Sequence, residues 1–115
     1  MSDKRNLREP LESPVKWTYT RLTRLIQEFE ARLDDEHEIG LSIVPLGDAV
    51  YRVRDFDCWY PDMLIFYCLT LEGAEATLIQ HHSQLNFLLI ALPKLDPQEP
   101  PRRIGFSLKD APTIP

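Results

Sequence analysis

A chain of 115 residues with 43% apolar and 10% aromatic content has the size and the core material of one domain. Thirteen Lys and Arg against eighteen Asp and Glu leave a net charge of −5, the wrong sign for neutralising phosphates, so no nucleic-acid partner is expected. The longest apolar run, Met63 to Leu69, is far short of a membrane span, and the first residues carry charge with no apolar stretch behind them, so a cytoplasmic protein without membrane association is expected.

Residues 1–12 mix charges with little apolar content and read as a flexible tail. Ser13-Pro14 is a helix start, with serine as cap and proline at the first helical position. Val15, Tyr19, Leu22, Ile26, Phe29 and Leu33 follow at spacings of four and three and predict one apolar helix face. Asp34, Asp35 and Glu36 oppose the helix dipole, which places the helix end near them. From Glu38 the period drops to two: Ile39, Leu41 and Ile43 alternate with Gly40 and Ser42, as in a strand with one buried face.

A turn over Pro45 to Asp48 leads into a second strand, Ala49 to Asp55, in which Tyr51 and Val53 face away from Arg52 and Arg54. A loop through Trp59-Tyr60-Pro61-Asp62 precedes Met63 to Leu71, apolar at nearly every position and read as a central strand covered on both sides. Glu72-Gly73-Ala74 turns the chain into a fourth strand, Glu75 to His81, completing an antiparallel meander. Leu85, Leu88, Leu89 and Leu92 predict a second helix that starts at His82 or Ser83 and ends at Pro93, with Phe87 and Ile90 off its main face. Such a helix needs cover on several sides, which a homodimer would supply. Residues 96–101 form a proline-rich linker, and Ile104, Phe106 and Leu108 alternate in a strand-like arm expected to dock on its own sheet or a partner's.

The expected architecture is therefore α+β: an N-terminal helix, a four-stranded antiparallel meander, a second helix on the same sheet face, and a C-terminal strand-like arm. Residues 13–95 form the domain, 96–101 the linker and 102–115 the partly docked arm.

Chemistry is sparse. Gln80, His81, His82 and Ser83 form the densest polar cluster, and Asp57 and Asp62 are the carboxylates that could work with His81 or His82 in a pocket. Adjacent histidines on a strand point to opposite faces and do not share a metal, so helix capping is the plainer role, and a Ser83-His pair lacks a visible acid and oxyanion site. Asp55 to Asp62 combines carboxylates with Phe56, Trp59 and Tyr60, without the glycine and closing glutamate of an EF-hand, and suits a binding surface or a packed loop. Arg52 and Arg54 share a face and suit an anion, a partner or plain solvent. Cys58 and Cys68 lack metal or redox spacing and read as free thiols, Cys68 as a small buried apolar residue. No catalytic residue, metal ligand or cofactor is identified.

Pro14-Val15-x-Trp17-Thr18-Tyr19-x-Arg21-Leu22, Phe29-Glu30-x-x-Leu33-Asp34 and His37-Glu38-x-Gly40 resemble a small bacterial domain family of unknown function, mainly alphaproteobacterial. Gln80-His81-x-Ser83-Gln84-Leu85, Ala91-Leu92-Pro93-Lys94 and Arg103-Ile104-Gly105-Phe106 carry the same resemblance. It implies a bacterial cytoplasmic setting and makes Arg103 to Leu108 part of the domain, but transfers no activity. The leading expectation is a non-enzymatic protein-protein interaction module, an adaptor or regulator acting as a homodimer. It would use Trp59, Tyr60, Arg52, Arg54, Phe87, Ile90, Ile104 and Phe106. The alternatives are a small enzyme or ligand-binding protein with a pocket between sheet and helices, and a phage or mobile-element inhibitor of a host complex.

Overall fold

The computed structural model describes residues 13–104 except Asp48. The expected flexible tail, Gly105, Phe106 and the rest of the arm lie outside the described residues. Helix α1 spans Pro14–Ala31 and is followed by strands β1 (His37–Ile43), β2 (Val50–Trp59), β3 (Met63–Thr70), β4 (Glu75–His81) and β5 (Phe87–Pro93), with 3-10 turns at Val44–Leu46 and His82–Gln84. The class is α+β, and all five strands join one antiparallel sheet in the order β4-β3-β2-β1-β5.

The expected second helix is instead a 3-10 turn and a strand. Leu85, Leu88, Leu89 and Leu92 have helical spacing, yet Phe87 to Pro93 pairs residue for residue with β1, from Ile43 opposite Phe87 to His37 opposite Pro93. A seven-residue run apolar throughout suits a strand as well as a helix, and the unpaired side of β1 supplies the hydrogen bonds that decide it. Helix α1 is thus the one α-helix among the described residues.

A second correction concerns Phe56 to Trp59, read as loop beyond a strand ending at Asp55. These residues continue β2, whose pairing runs from Asp55 opposite Tyr67 to Trp59 opposite Met63 after a bulge between Val53 and Asp55. The bulge inserts one residue, so the inward positions shift from Tyr51 and Val53 to Phe56 and Cys58.

The sheet is strongly curled. Strands β3 and β5 are three strand spacings apart, about 14 Å in a flat sheet, yet the rings of Phe66 and Phe87 meet edge to face with centroids 5.1 Å apart. Helix α1 lies across the concave side, where Tyr19 packs on Phe56 at 4.8 Å and Phe56 on Phe66 at 4.7 Å. Val15, Tyr19 and Ile26 of α1 join Ile39, Leu41, Ile43, Leu64 and Phe66 in the core, so the four-and-three spacing on the helix and the alternation on β1 both point inward as read.

Fastenings at both ends hold α1 in place. Ser13 does not cap through its side chain: its Oγ donates to the Pro61 carbonyl at 2.9 Å, while its own carbonyl accepts from the Lys16 amide at 3.0 Å. At the other end the chain turns at Asp34, whose Oδ1 accepts from the Glu36 amide at 2.9 Å and sits 2.7 Å from His37 Nδ1. The His37 contact, with the Glu36 amide second, holds the Asp34 carboxyl below its ordinary value.

Candidate functional site

Three features could carry function: the convex face of the sheet, a polar cluster at the end of β4, and a cavity on the concave side.

The convex face is built by the strand register. Across β2, β3 and β4 it carries the rows Trp59-Met63-His81, Asp57-Ile65-Ile79 and Asp55-Tyr67-Thr77. Ile65 is only 5% exposed although it is outside the concave core, so its neighbours cover it, but β3 is neither central in the sheet nor covered on both sides as read from the sequence. The apolar side chains around it stay open: Trp59 is 65% exposed, Ile79 59% and Tyr67 41%. Tyr60 is exposed at the β2–β3 turn. Asp57 lies on this face with β3 between it and β4, and its Oδ1 accepts from the Cys58 amide at 2.8 Å.

The same face takes a different form at β1 and β5. Gly40 lies opposite both Arg52 and Ile90, and a β-carbon there would run into the Leu92 side chain and come within 2.9 Å of the Tyr51 carbonyl. Glycine therefore lets Leu92 lie across β1. Leu88 of β5 remains exposed and Phe87 and Ile90 half-buried, with Phe87 turned into the core and Ile90 on the convex side.

Arg52 is not a free contact residue. Its Nη1 donates to Glu38 Oε1 at 3.3 Å and to the Pro93 carbonyl at 2.7 Å, and both side chains of the ion pair are nearly buried. Glu38 goes further: Oε1 also accepts from the Leu95 amide at 3.2 Å and Oε2 from the Arg102 amide at 2.8 Å. Glu30, also buried, accepts the Ile104 amide at 3.0 Å, and Arg103 donates to the carbonyls of His37 and Asp34 at 2.8 and 3.1 Å. The arm thus docks on its own domain through residue 104 by amide-carboxylate bonds and the buried Ile104 side chain, with no strand pairing over residues 101–104. Sequence reasoning named both glutamates, Glu38 at the start of a strand and both within the family resemblance, and assigned neither a role. One signal was present: Glu30 falls four residues after Ile26 on the apolar face of α1. Arg54, beside the bulge, lines a convex-face groove with Tyr67, Leu69 and Glu75.

The polar cluster comes together in part. His81 Nε2 lies 3.5 Å from Asp62 Oδ2, and Nδ1 lies 2.8 Å from Ser83 Oγ. The Ser83 amide donates to Nδ1 at 3.2 Å, which makes Nδ1 the acceptor and leaves the ring proton on Nε2, toward Asp62. The carboxylate-imidazole-hydroxyl order is that of an acyl-transfer triad, but His81 and Asp62 are 42% and 43% exposed and share their bonds with water. What the contacts accomplish locally is capping, since His81 is the N-cap of the 3-10 turn. The His81 and His82 rings stack at 4.7 Å instead of diverging, because His82 has already left the strand for the turn. Gln80 is half-buried on β4, and its Oε1 is buried without a hydrogen-bond partner. Among the described residues no three His, Cys, Asp or Glu side chains converge in a metal-binding group, and no helix is long and apolar enough to cross a membrane.

The cavity, about 220 Å³, is lined by Ile43, Tyr51, Cys68, Ala76, Thr77 and Leu78, all from the sheet. Burial pushes the Cys68 thiol up to about 11, so at neutral pH it is a protonated apolar lining group and not a nucleophile.

Neither the curated proteins nor the solved structures gave a match to this chain. A family model matches residues 17–107, a span that takes in all but the first three residues of α1, all five strands and the docked arm. The chain belongs to that family, a family of unknown function (DUF6173).

Proposed function

We propose that this chain is a non-enzymatic protein-protein interaction module, an adaptor or regulator that works as a homodimer in the cytoplasm. The observation that carries the reading is the convex face over β2, β3 and β4, where Trp59, Tyr67 and Ile79 stand open around a buried Ile65. Aromatic and aliphatic anchors over an apolar centre, rimmed by the Asp55 and Asp57 carboxylates and Arg54, have the composition of an interface core and rim. The test is capture of partners from native lysate by the tagged full chain and by a Trp59→Ser/Ile79→Asp variant, with the mass of each free protein measured by light scattering. A specific partner or a dimer lost in the variant supports the reading. Identical capture and mass in the two proteins sinks it.

A second reading, a small-ligand protein, rests on the cavity beside Cys68 and Ala76. Its size suits one small apolar ring or branched chain. Thermal stabilisation of the protein by small aromatic compounds, abolished by Ala76→Leu, would support it, and equal behaviour of the two proteins would remove it.

A further inference from the structure

Strand β4 is one edge of the sheet, and it lacks the devices that keep an edge from pairing. Glu75 to His81 contains no Lys, Pro or bulge, and its register with β3 runs unbroken from Leu69 opposite Glu75 to Met63 opposite His81. The turn bond from the Thr70 amide to the Ala74 carbonyl at 2.8 Å fixes the phase of the ladder. By alternation Ala76, Leu78 and Gln80 bond to β3, and the amides and carbonyls of Glu75, Thr77, Ile79 and His81 point off the edge.

We propose that β4 pairs with β4 of a second copy of this chain, antiparallel about Leu78. This names the partner and contact for the homodimer proposed above and rests on that reading. The two-fold operation keeps inward residues beside inward residues, with Leu78 facing its own copy and Ala76 facing Gln80. On the convex side it sets Glu75 opposite His81 and Thr77 opposite Ile79, with each relation repeated by symmetry. Among registers that preserve the faces, this one uses the whole strand and puts its one acidic side chain against its one basic side chain. The exposed edge groups are the four residues that the register opposes, so each gains a partner. The pairing also brings Ile79, 59% exposed in the single chain, beside the Thr77 position of the other copy, with that copy's Tyr67 one strand farther on, and merges two convex patches into one.

The test uses the full chain in sedimentation equilibrium over a wide concentration range, beside Thr77→Pro, Ile79→Lys and, on the opposite edge, Leu88→Lys. Thr77→Pro deletes an edge amide that β3 does not use, and Ile79→Lys places a charge at an exposed site, so either keeps the test decisive if the other fails to fold. The expected result is a wild-type dimer that Thr77→Pro and Ile79→Lys each weaken about tenfold or more while circular dichroism stays unchanged, and that Leu88→Lys leaves intact. A dimer broken by Leu88→Lys and untouched by the β4 variants overturns β4 pairing but leaves a self-associating module. A wild-type protein that stays monomeric at every concentration overturns β4 pairing, and partner capture by the convex face then separately decides the interaction reading.

Discussion

Two polar clusters occupy this small fold, and they behave in opposite ways. Asp62, His81 and Ser83 meet across the adjacent strands β3 and β4, half-open to water, and tie down one short turn. Glu30 and Glu38 are 8% and 6% exposed and gather amides from residues 64 and 74 positions away in sequence. An exposed cluster exchanges protein for water at little net cost, whereas a buried carboxylate stands or falls with its partners. The difference teaches that the group with suggestive chemistry is the structurally dispensable one, and that two glutamates given no role in the sequence hold the arm to the domain.

The sharpest way to break the comparison is Glu38→Ala. It leaves the Arg52 guanidinium buried without its carboxylate and strands the Leu95 and Arg102 amides. The expected loss is about 3–5 kcal/mol in urea unfolding. A loss no larger than that of an exposed substitution would mean that water replaces the carboxylate there. Next in size is Ile104→Ala, which removes a 6% exposed side chain from the core and should cost about 2–4 kcal/mol. Because the arm is held by side-chain carboxylates without strand pairing, hydrogen exchange at Arg102 and Ile104 should rise more than at β3. Equal changes in both places would show that the arm and the sheet open together. His81→Ala, on the other side of the comparison, should cost only about 0.5–1 kcal/mol, the worth of a lost cap. A loss as large as that of Glu38→Ala would reverse the ranking of the two clusters.

How much of this was legible in the sequence depends on how far each cause lies along the chain. Helix α1 and strand β1 were readable because Val15, Tyr19 and Ile26, and Ile39, Leu41 and Ile43, write their periods locally. Strand β4 matched its reading, Glu75 to His81, because turn residues bracket it. Strand β5 was misread because Phe87 to Pro93 is apolar throughout and its state depends on β1, more than forty residues earlier. The continuation of β2 beyond Asp55, through Asp57 to Trp59, was hidden by the bulge, which breaks the alternation just where carboxylates suggest a loop. Asp62 and His81 were recognised as candidates by residue type, and the register of β3 against β4 brought them together. Glu38 sits at an outward position of its strand, where a carboxylate ordinarily meets water, and here Arg52 and the amides of Leu95 and Arg102 take that place.

Glu30 gives the smallest effect and the one with a pH signature. Its burial raises the carboxyl above its ordinary value of 4.5, against the opposing pull of the Ile104 amide and, less strongly, of Arg103. The folded protein therefore holds this proton to a higher pH than the unfolded chain does. Over the window from the ordinary value up to the raised one, folding takes up a proton, so this group's contribution is fully present below the window and lost as pH rises through it. Glu30→Gln keeps an oxygen for the Ile104 amide and removes the titration. The variant should lie within about 1 kcal/mol of the parent at pH 7, and its stability should fall less steeply than the parent's as pH rises from 4.5. Urea midpoints of the two proteins across that range decide it: parallel curves would show that Glu30 titrates alike in the folded and unfolded chains. A large loss at pH 7 would instead place Glu30 beside Glu38, as a carboxylate whose charge the arm requires.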